Sequence, residues 1–242
     1  MRTTLPAVLL LAAVVSAGAQ DNARAFRTSL SLSGALTAGN SETLQVNAAL
    51  ETAGEIARLG RVRAGIDGNY AEADTDDGRQ TTVENLRAVA NAQKTLHERL
   101  FASLDLGAST DRIALVDYRV RVSPGLGVPI LRSERTTLDA EAGPAYLWES
   151  VDDVRDDYLA LRLAARLDHA HSETAKSWIA LEYLPRTTDF ADYLLNAELG
   201  VEAALNARLN LRLALQNRYD SRPAPELREN DVALLAGLGV TF

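Results

Sequence analysis

From Arg208 to Gln216 the chain reads R-L-N-L-R-L-A-L-Q. In a strand, successive side chains point to opposite faces, so Leu209, Leu211, Leu213 and Leu215 share one face and Arg208, Asn210, Arg212 and Gln216 the other. A helix would scatter those leucines around its circumference. The alternation continues from Val232 through Leu234, Ala236, Leu238 and Val240 to Phe242. It recurs at Leu44, Val46, Ala48 and Leu50, at Tyr118, Val120 and Val122, and at Leu159, Leu161, Leu163 and Leu167.

About twelve such runs of about 10 to 14 residues follow one another, near the length a tilted membrane-crossing strand needs. Their expected spans are 26–38, 42–53, 61–72, 82–93, 99–110, 117–130, 135–149, 156–168, 177–187, 191–203, 207–219 and 230–242. Asn91 to Arg99 also reads as a helical turn, which leaves counts of ten or fourteen open. The resulting expectation is an all-β transmembrane antiparallel barrel, an up-and-down meander with an even strand count because both termini lie in the periplasm. A soluble periplasmic barrel or sandwich alternates in the same way and is the competing fold.

Around these strands the chain carries an export address. Arg2 supplies charge, Leu5 to Val15 an apolar run and Ala17-Gly18-Ala19 a small-residue cleavage site, so residues 1–19 read as a signal peptide and 20–242 as one domain. The run is too short to span a bilayer as a helix. No later stretch is continuously apolar over a helical span, so a closed barrel is the membrane-crossing form left. Losing Arg2 leaves 24 of the 25 Lys+Arg against 33 Asp+Glu, or −9, which argues against nucleic acid as a partner. With no cysteine, neither disulfides nor thiolate chemistry contributes.

Aromatic placement gives the topology a second footing. With the first strand running outward, Tyr70, Tyr118, Tyr146, Trp148, Tyr158, Tyr193 and Tyr219 fall at outer strand ends with Tyr183 nearby, and Phe26, Phe101, Trp178 and Phe242 near periplasmic ends. Such residues belong at membrane interfaces.

The ending Leu235 to Phe242 resembles the C-terminal signal by which the outer-membrane assembly machinery recognises its clients, through Gly237, Val240 and the terminal Phe242; Leu235 stands where a polar residue is usual. Further segments resemble the DUF481 family of salt-induced outer-membrane proteins: Thr37-Ala-Gly-Asn-Ser-Glu-Thr43, Asp117-Tyr-Arg-Val120, Ser123-Pro-Gly-Leu-Gly127, Glu141-Ala-Gly-Pro-Ala-Tyr146, Glu182-Tyr-Leu-Pro-Arg186, Asp192-Tyr-Leu-Leu195, Gln216-Asn-Arg-Tyr-Asp-Ser221 and Pro223-Ala-Pro225. The resemblance implies an outer-membrane barrel and little more, with no catalytic residues to carry over; lipid and lipopolysaccharide are the surroundings expected of such a barrel.

The face opposite the leucines carries charge of both signs: Arg61, Arg63, Asp67, Arg87, Arg119, Arg121, Asp139, Glu141, Arg162, Arg166, Glu182, Glu198, Arg212 and Arg218. Two readings follow. Arginine forks can cross-link carboxylates into a polar plug, giving a closed-lumen structural or osmotic-stress protein. Alternatively, Arg61, Arg63, Arg119, Arg121, Arg162 and Arg166 leave a wet, narrow pore that prefers small anions. Pro124 and Pro144 fall almost opposite one another, with Gly125, Gly127 and Gly143 facing inward; this reads as a bulge aiding closure or as a solute niche.

Two acidic outer segments, Glu72 to Asp77 and Asp152 to Asp157, read as solvated loop ends, with divalent bridging to lipid phosphates as the alternative. His97, His169 and His171 lie in or beside expected periplasmic turns, with Ser172 the one nearby nucleophile. That set lacks the converging base and orienting group a hydrolase needs. No enzyme, cofactor or metal is expected.

Overall fold

The computed structural model describes residues 24–37, 43–75 and 78–242. The expected signal peptide, the Thr37-to-Thr43 hairpin tip and Asp76 and Asp77 of the first acidic segment lie outside these residues in whole or in part. Twelve strands, β1 (Arg24–Thr37), β2 (Thr43–Ile56), β3 (Gly60–Thr75), β4 (Gly78–His97), β5 (Leu100–Asp111), β6 (Val116–Arg132), β7 (Thr136–Val151), β8 (Val154–Ala170), β9 (Ala175–Arg186), β10 (Asp189–Ala204), β11 (Leu209–Asp220) and β12 (Asn230–Thr241), form one closed barrel. Each pairs antiparallel with its chain neighbours, and β1 with β12 closes the ring. The ambiguous Asn91 to His97 segment is strand, laddered to β5 by Asn91↔Asp105 and Gln93↔Ser103.

Leu211, Leu213, Leu215, Leu199, Val201, Leu181 and Leu163 are exposed, whereas Asn47, Asn69, Asp105, Arg121, Glu149 and Arg162 are buried. The ordinary soluble arrangement is thus inverted: apolar side chains line the outer wall and polar ones the inside, as a bilayer solvent demands.

One end, here called the tyrosine end, carries an outward aromatic band. Tyr183 meets Tyr193 at 5.3 Å between ring centroids, Tyr193 stacks on Tyr219 at 5.5 Å, and Tyr146 meets Trp148 at 4.7 Å. The opposite, terminal end carries Phe242, 74% exposed. Three aromatics expected at interfaces face inward instead. Phe101 and Trp178 are buried in the lumen, and Tyr158 lies beneath the Arg186 guanidinium, 3.7 Å away. Strand ends alone cannot place these residues, because each sits on the face its parity assigns.

Pro124 and Pro144 are opposed by the β6–β7 register, which places Val122 against Tyr146 and Leu126 against Ala142. No ladder pair is made between those two, and the Ser123 hydroxyl donates to the Pro144 carbonyl at 2.8 Å. The glycines leave no niche. A side chain on Gly143 would strike the Pro124 carbonyl, and one on Gly127 would strike the Phe101 ring. They permit close strand approach. Asp152 and Asp153, with φ of 51° and 62°, make the two-residue turn between β7 and β8, the geometry that suits a tight hairpin.

The β1–β12 closure is uneven. Its ladder runs from Ser29↔Thr241 to Ser33↔Gly237, and the Phe242 amide donates to the Thr28 carbonyl at 2.8 Å. A Cβ at Gly237 would collide with the Leu32 carbonyl, so this seam requires glycine there. Beyond Ser33, β1 stays paired with β2 as far as Thr37↔Thr43, and β12 with β11 as far as Tyr219↔Asn230, but not with each other.

Two measurements check this fold. Cysteines replacing Leu211 and Leu213 should be quenched from the lipid phase, and cysteines replacing Arg212 and Gln216 from water. Gly127→Val should lower the folded yield, and adding Phe101→Ala, which empties the occupied space, should recover it.

Candidate functional site

The lumen is the candidate site, and alternation places all fourteen expected residues on its wall. Its centre is a network of charged side chains from five strands, extended by one amide on either side. Arg162 donates to Glu141 at 2.9 Å and to Glu182 at 2.7 Å, and its third nitrogen lies 3.4 Å from Asp105. Arg121 bonds Asp105 and, at 2.6 Å, Glu182. Gln93 donates to Glu141 at 2.6 Å, and Asn196 to Glu182 at 3.2 Å. All five charged side chains are 10 to 12% exposed.

Several contacts join strands that are not neighbours. Arg121 (β6) reaches Glu182 (β9), Arg162 (β8) reaches Asp105 (β5), and Gln93 (β4) reaches Glu141 (β7). Nearer the tyrosine end, Arg119 holds Glu149 on the adjacent strand at 2.5 Å and Asp220, five strands away, at 3.0 Å. Beside it Ala145, Leu147, Ala160 and Leu184 form a buried apolar cluster flanked by Tyr158 and Leu194. Toward the terminal end, Arg61 reaches Asp139 at 3.6 Å and Arg63 reaches Asp168 at 3.8 Å, while Arg166 holds Asp168 at 2.8 Å. A further group joins Arg212 to Glu51 at 2.7 Å and to Glu198 at 3.7 Å, with the Trp178 indole donating to Glu198 and lying 4.7 Å from the Arg212 guanidinium.

Two side chains only three to five strands apart around a closed ring can meet only if the space between their walls is about as wide as the pair. Desolvating these charges is costly, and bidentate, multiply bonded geometry offsets the cost. Each of the six arginines expected to attract anions holds a carboxylate oxygen at 3.8 Å or closer. The exception on the wall is Arg87, which has no ion pair among the described residues; nearby, Arg218 lies 3.6 Å from Asp67 without a hydrogen bond.

Sequence reading missed the acceptors Asp105, Glu149 and Asp220, although each has the parity of its strand's luminal face. It also missed a polar ladder in which Ser33 donates to Asn47, Asn47 to Asn69 at 2.9 Å, and Asn69 to Asn85 at 2.8 Å. The histidines form no catalytic set: His169 bonds Thr136, His171 bonds Ser177, and the Ser172 hydroxyl accepts from the amides of Thr174 and Ala175. In the acidic segments, Glu72 accepts from Tyr70, Asp156 pairs with Arg186 and Asp157 accepts from Tyr146. No group of three metal-ligating side chains occurs among the described residues.

Among proteins compared by family, the model described as "Protein of unknown function, DUF481" matches residues 30–242. No curated protein matches the chain. Among solved structures, the chain is similar to the COG4313 outer membrane channel from Pseudomonas putida F1, at 9% identity and TM-score 0.53, covering 92% of this chain and 98% of that one. It is also similar to the NanC porin, at 9% identity and TM-score 0.52, covering 89% and 98%. At such identity the likeness is one of fold.

Replacing Arg162 with Met leaves Asp105, Glu141 and Glu182 facing one another, and should cost about 3–5 kcal/mol of stability. Arg222→Ala, which breaks the rim pairs with Asp189 and Asp192, should cost about 0–1 kcal/mol. Urea unfolding in detergent would measure both; equal shifts would mean the central network is solvated like the rim.

Proposed function

The chain belongs to the DUF481 family, and we propose that it is a non-enzymatic outer-membrane barrel whose lumen is shut to solutes, a structural element of the envelope. The observation that carries this reading is the set of ion pairs bridging non-adjacent strands, above all Arg119 to Asp220, Arg63 to Asp168 and Arg121 to Glu182. An open channel keeps its wall charges facing water; here they are spent on one another. The anion-preferring pore loses its motive, because the arginines that suggested it are neutralised in place. A narrow pore stays the second reading on the strength of Arg87, which shares Asp67 with Arg218 and has no ion pair of its own among the described residues.

Lipid and lipopolysaccharide surround the apolar wall in this account. The barrel-assembly machinery reads the last strand through Gly237, Val240 and Phe242. Gly237 has a structural duty besides, since it lets β12 close on β1.

The protein should fractionate with the outer membrane and migrate faster on gels when unboiled. In planar bilayers the wild type should show no conductance steps. Arg121→Ala with Arg162→Ala exposes Asp105, Glu141 and Glu182 to the lumen, so steps should appear and favour cations. Anion-selective steps from the wild type would instead support the pore.

A further inference from the structure

The unevenly closed seam has chemistry behind it. Tyr219, whose outward ring belongs to the aromatic band, is paired with Asn230. The unpaired part of β12, Ala233 to Ala236, therefore lies inside the apolar belt, facing Gly34 to Thr37 of β1, which make no ladder with it. Unpaired backbone groups facing hydrocarbon are costly, so this part of the wall is the least stably closed. Leu234 is 64% exposed, against 40% for its ladder partner Leu215, as expected where one side of the strand is uncovered.

The Arg218 side chain on β11 meets Asp67 on β3, so it crosses the luminal side of β12, β1 and β2, directly behind this slit. One terminal nitrogen of Arg218 is buried without a hydrogen-bond partner, as is Asp67 Oδ2. Arg87 stands opposite Asp67 in the β3–β4 ladder without an ion pair. Two guanidiniums thus share one carboxylate. Of the other acids near them, Glu182 is held by Arg121 and Arg162, Glu51 and Glu198 by Arg212, Asp111 accepts from the amides of Ile113 and Ala114, and Asp231 is exposed at the mouth. The adjoining wall is the neutral ladder of Ser33, Asn47 and Asn69.

We infer that the outer half of the β1–β12 seam is a lateral binding slit for a single-chain carboxylate amphiphile. Its head group binds Arg218 and Arg87 inside, and its chain leaves past Leu234 into the lipid. Arginine's planar fork suits a carboxylate, and the apolar lips suit an acyl chain. The inference goes beyond the closed-lumen reading: that reading concerns passage along the barrel axis, and this one entry through the wall.

The test uses the folded barrel in lipid nanodiscs with nitroxide-labelled stearic acid. Binding should be saturable and displaced by palmitate but not by its methyl ester. It should weaken about tenfold in Arg218→Gln, a loss of about 1.4 kcal/mol, and also in Arg87→Gln should the first variant fold poorly. Because the chain has no cysteine, Gly34→Cys with Ala236→Cys, placed opposite by continuing the ladder past Ser33↔Gly237, can lock the slit. Oxidation should abolish binding and reduction restore it. Displacement by the methyl ester, binding unaffected by the lock, or full affinity in both folded arginine variants would overturn the inference. Conductance of the same preparation reports separately on the closed lumen.

Discussion

The interaction on which the structure depends is the pairing of arginine with carboxylate across the lumen. A polar barrel interior must be satisfied either by solvent or by itself. Arg162, with three nitrogens directed at Glu141, Glu182 and Asp105, shows which solution this chain adopts. Breaking one such partner leaves an uncompensated charge in low dielectric, which is far more damaging than never having had the pair. The network therefore fixes the spacing of β5 through β9, and the apolar cluster of Leu147 and Leu184 packs beside it inside the same wall.

Much of the fold is legible in the chain because strand parity is a local property. The run from Arg208 to Gln216 defines both faces of β11, and the same rule assigns Arg119 and Arg121 inward on β6. Even the opposition of Pro124 and Pro144 follows from counting back from one hairpin. What parity cannot supply is depth and partner. Phe101 and Trp178 resemble interface aromatics by position along the strand, yet they face inward. The pairing of Arg119 with Asp220 joins residues 101 positions apart, a relation set by the tilt and closure of the whole ring. For this reason the sequence leaves paired and unpaired arginines as alternatives, and only the closed ring shows which carboxylate each one meets.

The same closure explains where the barrel is weakest. β1 and β12 meet last, Gly237 lets them approach, and their ladder holds only near the terminal end. The lumen is braced most heavily on the side of β5 through β9 and least at the seam, behind which Arg218 and Arg87 share Asp67. A tightly cross-linked axis and a loosely closed wall are two results of one distribution of charge.

One-sided labelling of luminal cysteines in reconstituted vesicles tests the closed axis most directly. Ala53, opposite Arg63, lies on the terminal side of the network, and Ser109, opposite Arg119, on the tyrosine side. With a charged, membrane-impermeant thiol reagent added to one face, Ala53→Cys should react only from the terminal side and Ser109→Cys only from the tyrosine side. Reaction of either cysteine from both faces would show that solutes traverse the lumen and would contradict the account.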